Sequence, residues 1–553
     1  LERNEVTIKR LILALLTVLA IARVLFSLSE SLTQPQVQNR LELYQTNLVL
    51  HVAEFQPDRL DTSADQNADL TAAIESFIGE DPYSNAEKQY QKILKEAQIS
   101  RSNFQNQLKQ KTAIRDPAWR VLPHRDGKER TSRSDFKIIP DARAKDTNTD
   151  ATPVRQQQLQ QQIQAIDDFI NEIDLKLGIL IASQGKTEQA LSIWNQLINR
   201  LDDPENKYTK TATILSNLWK KSPQILPNAE SILKNNLNSW FSYRALQRLY
   251  RIQADRVALS SLETQQQERA MQALFKLALI GGIPILGGMF GVIILIFLIV
   301  QLLLKKETSI LATNRNITWE TPWNWEIVWQ VLIVGFFFIS QFVVPIILGL
   351  SGLSLADSSV RFKAVYVLVT YVLMALGGIL VLYFSLKAFF PLPSGWFKFK
   401  LISNWFVWGF GGYLIAIPLV LLVSLINQQI WHGQGGSNPI LFLALQAQDR
   451  VALAIFFITA SIAAPIFEEI MFRGFLLPSL TRYMSVSTAI ILSAFIFAIA
   501  HLSLSEVLPL ATLGIILGII YTRSRNLLAP ILLHSLWNSG TLISLFVLGS
   551  GVN

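Results

Sequence analysis

Leu277–Leu304 reads LALIGGIPILGGMFGVIILIFLIVQLLL, with no charged side chain from one end to the other. As a helix rising ~1.5 Å per residue it is long enough to cross a hydrocarbon layer of ~30 Å. A soluble core does not require an apolar run of that length. Further candidate spans follow at 327–350, 364–386, 404–426, 451–467, 486–504, 506–521 and 527–548, so 269–553 carries eight. The stretch 451–480 can also be read as one longer helix, broken around Pro465. Upstream, the run Leu11–Leu28 follows Arg3, Lys9 and Arg10. It reads as an uncleaved anchor rather than a signal peptide, because no A-x-A site follows it. The expected fold class is therefore all-α: a polytopic membrane protein of about nine transmembrane helices.

The charges divide the same way. The 553 residues include 49 Lys and Arg and 41 Asp and Glu, and about 23 of these fall after residue 268. That is roughly 8% of the C-terminal part against roughly 25% of the N-terminal part, the latter being the share usual in soluble domains. Three parts are expected: an anchor at 1–28, a helical soluble domain at 29–268 and a membrane domain at 269–553. With no cysteine in the chain, disulfides, thiolate catalysis and Cys-based zinc sites are excluded. The net charge of +8 does not point to nucleic acid, since no long basic tract occurs and membrane proteins retain Lys and Arg on cytoplasmic loops.

Within 29–268, QNRLELYQTNLVLHVAEF, AEKQYQKILKEAQISRSNFQNQLKQK and RQQQLQQQIQAIDDFINEIDLKLGILIAS carry apolar residues at helical spacing. Residues 116–153 lack periodicity and read as a loop. The stretch 177–198 resembles one tetratricopeptide-type hairpin, with Gly178, Gly185, Ala190 and Trp194 at its small and aromatic positions. Trp319, Trp323, Trp325, Trp396 and Trp405 gather at span ends, where indoles favour the headgroup region. Alternate threading puts Lys305, Lys306, Arg315, Lys387, Lys398, Lys400, Arg482, Arg523 and Arg525 on one side, and only Arg361, Lys363 and Arg450 on the other. The positive-inside rule makes the first side cytoplasmic. The N-terminus is then expected inside and 29–268 outside, periplasmic or lumenal.

Ionisable groups in a span are costly, so each is a functional candidate. APIFEEIMFRGF presents Glu468, Glu469 and Arg473; FAIAH presents Phe497 and His501; LLHSLWN presents His534 and Asn538. Glu469 and Arg473 share a helical face, as do His534 and Asn538. Adjacent Glu468 and Glu469 diverge by about a hundred degrees, so one suits chemistry and the other a structural bond. Taken singly, each has a bland explanation as interhelical glue. Together, two carboxylates, two imidazoles and an amide on three helices match the groups that hold a metal or activate a water. On straight helices His534 would lie near one membrane face and His501 nearer the other, which puts the expected span ends near 480–486 in question.

At these residues the sequence resembles the CAAX-processing and bacteriocin-processing intramembrane proteases, the ABI family. The family's EExxxR, FxxxH and HxxxN/D motifs appear in order as Glu468-Glu469-Arg473, Phe497-His501 and His534-Asn538, within 450–548. The long N-terminal extension departs from the minimal family and looks like that of cyanobacterial members. The resemblance implies an intramembrane endopeptidase acting on a membrane protein or peptide through a glutamate-activated water. It makes Glu468 the general base, with His501 helping to hold the water. His534 and Asn538 would complete the site and stabilise the oxyanion, while Glu469 and Arg473 orient the others. Zinc is the cofactor it allows, held by Glu468, His501, His534 and Asn538, although the HExxH helix of familiar zinc peptidases is missing. The extension is expected to bind a protein partner.

Three rivals remain. Gly349-Leu350-Ser351-Gly352 matches the G-x-S-G of rhomboid-type serine proteases, but a serine mechanism leaves Glu468, Glu469, Arg473 and Asn538 unexplained. A non-catalytic scaffold or immunity-type binding protein of the same fold would suit the extension, yet the candidate residues are all present. A transporter would more often show two related halves, and no second Glu/His set occurs.

Overall fold

The computed structural model of the protein describes residues 7–32, 37–57, 71–72, 74–75, 78–113, 151–352, 359–431, 434–437 and 449–549. The chain is an all-α, multi-pass integral membrane protein. Its apolar helices are α1 (Ile8–Ser31), α2 (Arg256–Thr308), α3 (Trp325–Leu350), α4 (Val360–Phe389), α5 (Trp405–Trp431), α6 (Arg450–Leu480), α7 (Val486–Ile499), α8 (Leu504–Ser524) and α9 (Leu528–Gly549). All but α7, eight helices among the described residues, are long and apolar enough to cross a membrane.

The exception lies at the expected span 486–504, where the helix is shorter than expected. α7 has 14 residues, about 21 Å at ~1.5 Å each, and ends five residues before 504. It ends at Ile499, and the chain turns through Ala500 and His501 before α8. Leu502 and Leu504 follow that turn, so the apolar pattern reads past the helix end. The expected break around Pro465 is instead a change of register. α6 runs unbroken from Arg450 to Leu480, with π-helical turns at Thr459–Ala463 and Ile470–Leu476. Of the loop expected at 116–153, residues 116–150 lie outside the described residues, and 151–153 open the helix Ala151–Ser183 instead. Pro153 is tolerated there because the N–H groups of a first helical turn have no intrahelical partner.

Two compact units are formed. Tyr90–Ile232 is a helical unit built on the hairpin of Ala151–Ser183 and Thr187–Leu201. Gly178 permits that hairpin: a Cβ there would lie 2.2 Å from Nε1 of Trp194, which is fully buried and donates to the Leu175 carbonyl. Arg200 pins the same face by donating to Asn171 and Asp174. The hairpin expected at 177–198 is present as a helical hairpin.

The other unit, Leu1–Gln89 with Leu233–Asn553, holds the apolar helices. α1 is fastened to α3 by Lys9 and Arg10 on Glu326 at 3.0 Å each, and by Trp329 donating to Thr17 at 2.8 Å. Trp319, Trp323 and Trp396 lie near span ends but are buried in protein: Trp319 stacks on Tyr521, and Trp323 packs on Trp396 and Phe475. The core continues through Phe336, Phe467, Phe472 and Phe497, four rings on α3, α6 and α7. α9 is drawn against α5 at Gly409, where a Cβ would lie 2.7 Å from the Ala529 carbonyl. Small residues let apolar helices approach closely in this way.

His51, on the helix Val37–Val52, is buried between Gln266 Oε1 at 3.0 Å and Ser239 Oγ at 2.9 Å. Burial pushes its imidazole down to about 4. An unfolded chain takes up this proton near the ordinary value of ~6.5. As pH falls from there towards 4 the unfolded state therefore binds more protons, and stability is lost across that window. The expected loss attributable to His51 approaches about 3 kcal/mol, at ~1.36 kcal/mol per pH unit. Thermal unfolding of wild type and His51→Gln between pH 7.5 and 4.5 checks it: the difference between their pH slopes should vanish above pH 7. Parallel slopes throughout would remove His51 as the cause.

Candidate active site

Glu468 and Glu469 lie at the end of the α-helical turn Ala464–Glu469, between the two π-helical turns of α6. π turns inside α-helices often mark functional positions, because they re-aim the side chains that follow. Here the adjacent carboxylates point to different neighbours.

Glu469 is fully buried and takes two donors on one oxygen. Arg473 Nη1 and His534 Nδ1 both lie 2.8 Å from its Oε1. Arg473, also fully buried, gives Nη2 to the Gly514 carbonyl of α8 at 3.1 Å. Its guanidinium lies over the Phe497 ring, 4.5 Å from the centroid. Phe497 in turn meets His501 and His534 edge-on, with centroids 4.9 and 5.7 Å apart. The phenyl of the FxxxH motif is thus a wall shared by the arginine and both histidines.

A carboxylate can only accept, so the Glu469 bond places a proton on Nδ1 of His534; in the neutral tautomer this leaves the lone pair on Nε2, on the far side of the ring. Nε2 faces Oε2 of Glu468 at 3.9 Å. That oxygen is buried without a hydrogen-bond partner, while Oε1 of the same carboxylate accepts from the Tyr371 hydroxyl at 3.1 Å. With His534 in that tautomer, two acceptors lie 3.9 Å apart, a spacing that a single molecule donating to both would bridge. A water has two such donors.

His501 and Asn538 are placed differently. His501 lies in the turn after α7 and gives Nδ1 to the Phe497 carbonyl at 2.9 Å, leaving Nε2 as its acceptor. Asn538 Nδ2 donates to the Ala460 carbonyl at 2.7 Å. That bond has a specific cause. In the π turn the Ala464 N–H reaches the Thr459 carbonyl, five residues back. The next carbonyl, Ala460, would accept from residue 465, which is proline and has no N–H. The amide of Asn538 supplies the missing donor.

The chemistry of the proposed zinc ligands is suitable, since a metal-binding histidine commonly has its other nitrogen held by a carboxylate, as His534 has. The arrangement does not gather them: among the described residues no three His, Cys, Asp or Glu side chains form a metal-holding group. Ser351, of the G-x-S-G tetrapeptide, donates its hydroxyl to the Leu348 carbonyl of its own helix. Sequence reasoning missed Tyr371. It lies in an apolar helix almost a hundred residues before Glu468, and no local spacing links the two.

Residues 450–540 match the family model described as Type II CAAX prenyl endopeptidase Rce1-like. The chain is 28% identical over 142 residues to the "Membrane-embedded CAAX protease MroQ" of Staphylococcus aureus (strain USA300), covering 25% of this chain and 56% of the relative. It is 28% identical over 137 residues to the "Putative membrane peptidase YdiL" of Bacillus subtilis (strain 168), covering 25% and 55%. The chain thus spans about half the length of the curated relatives it matches. No solved structure matches it. The matched segment contains every charged and imidazole group of the site just described, so the likeness of residues 450–540 to the Rce1-like type II CAAX prenyl endopeptidases falls on the site itself.

Proposed function

We propose that the protein is an intramembrane endopeptidase that hydrolyses a peptide bond of a membrane protein or peptide with a water activated by Glu468. The observation that carries this is the buried, unpartnered Oε2 of Glu468 facing Nε2 of His534 at 3.9 Å. A water donating to both is polarised towards hydroxide as Glu468 takes its proton. The same carboxyl then returns that proton to the leaving amine, the usual economy of a general base that becomes a general acid. Glu469 holds the tautomer of His534, and Arg473 neutralises Glu469. His501 Nε2 is available to steady the water or the developing tetrahedral centre. Zinc is assigned no step; stoichiometric zinc in active, purified protein would be the finding that adds it. The test is a survey of peptide termini in membranes carrying wild type or Glu468→Ala. Termini that appear only with wild type support the activity, and identical sets overturn it.

Loop charge supports an orientation with Lys305, Lys387 and Arg523 in the cytoplasm and 29–268 on the opposite side. The extension then recruits a protein substrate and does no chemistry. Deleting 30–265 with a short linker in place is expected to keep cleavage of a generic membrane peptide and lose the native substrate. Digestion of 100–150 by a protease on the cytoplasmic face of sealed vesicles would overturn the orientation, and recruitment with it.

A further inference from the structure

Among the described residues Tyr371 is the one hydroxyl on Glu468, and its distances say what it does there. Its oxygen lies 3.1 Å from Glu468 Oε1 and 3.4 Å from the Ala464 carbonyl. A phenol has one proton to give, and the charged oxygen is both nearer and the stronger acceptor. The last torsion of a glutamate is broad and two-fold, so an untethered carboxylate swings about it at little cost. With Oε1 held, the carboxylate plane is fixed and Oε2 is the oxygen turned to His534.

The hydroxyl is itself held by the packing of α4 on α6. The Tyr371 ring meets Phe467 edge-on, with centroids 6.2 Å apart at 86°. Two helical turns further on, Gly378 lets the helices close: a Cβ there would lie 2.9 Å from both the Phe467 ring and the Gly335 carbonyl. Phe467 immediately precedes Glu468, so the contact that seats the tyrosine also seats the carboxylate.

We propose that Tyr371 is a positioning residue for hydrolysis: its hydroxyl pins Oε1 of Glu468 so that Oε2 stays aimed at the space beside His534 Nε2. The role rests on Glu468 being the base. No proton leaves the tyrosine in the cycle; it donates the same hydrogen bond throughout.

The experiment compares wild type, Tyr371→Phe and Glu468→Gln on one fluorogenic membrane peptide, with kcat taken per folded molecule from the monodisperse fraction and thermal unfolding measured alongside. Phenylalanine keeps the ring on Phe467 and removes only the hydroxyl. The expected result is a kcat lowered roughly 10- to 100-fold, the size of a small misplacement of a reacting group. KM should stay within about twofold, as for an interaction that matters only in the transition state. Unchanged kcat in Tyr371→Phe with an inactive Glu468→Gln overturns the role of Tyr371 and leaves the base in place. An unfolding temperature that drops while kcat per folded molecule holds makes the hydroxyl structural and also overturns it. An active Glu468→Gln instead removes the base, and the tyrosine's role falls with it.

Discussion

Purified Glu468→Gln protein is expected to lose about a hundredfold or more in kcat while unfolding at the wild-type temperature or slightly above it. General-base catalysis by a placed side chain accounts for roughly 10²–10⁴ in rate, and an amide cannot take the water's proton. The stability half follows from the same geometry. Glu468 Oε2 is a buried acceptor without a partner, opposite a second acceptor at 3.9 Å. Glutamine places an N–H₂ there, which can donate to His534 Nε2, while its carbonyl still accepts from Tyr371. The substitution thus relieves a conflict in the resting protein and removes the chemistry, the familiar exchange of activity for stability at catalytic sites. Initial rates and thermal unfolding on one preparation check both halves. Turnover within about tenfold of wild type would sink the assignment of Glu468 as base.

Arg473→Met is expected to be the most destabilising single change in the site, by about 3–5 kcal/mol, the usual cost of removing one member of a buried ion pair. Glu469 is fully buried, and Arg473 supplies its strongest donor at 2.8 Å. The Gly514 carbonyl would lose the arginine's additional donor as well. Glu469 would then have to take a proton or draw His534 into the imidazolium form, and either change spoils the Nε2 acceptor. Adding Glu469→Gln removes the stranded charge, so the double variant should recover most of the stability and little of the activity. Unfolding of the two variants in the same detergent tests this. An Arg473→Met protein as stable as wild type would show that the pair contributes nothing to the fold.

Much of this was legible in the residues. Long apolar runs fixed every crossing helix, because a bilayer tolerates only a fully hydrogen-bonded backbone and hydropathy reports it directly. The pair Glu469 and Arg473 could be read from its helical spacing and is joined in the structure. The meeting of Glu469 with His534 rested on a family likeness, since contacts between distant helices leave no periodic trace. The end of α7 is not legible in the sequence, because Leu502 and Leu504 carry the apolar pattern past the turn that stops the helix. The carboxamide of Asn538 was grouped with the histidines by spacing. Its bond to Ala460 depends on a π turn and a proline on another helix, and neither can be inferred from the HxxxN string. Tyr371 was out of reach for the same reason.

The bond between Asn538 and Ala460 also sets an order of events during synthesis. α6 leaves the ribosome well before α9, and in lipid a carbonyl left without a donor costs several kcal/mol. Until residue 538 arrives, Ala460 lacks this donor, and until residue 534 arrives Glu469 lacks its histidine. The nascent membrane domain therefore lacks both a helix donor and a member of the proposed site for the same interval, and the last helix supplies both at once. A chain released early, short of α9, would carry its carboxylates on an unsatisfied helix, the kind of exposed polar defect that membrane quality control can recognise before the proposed site is assembled.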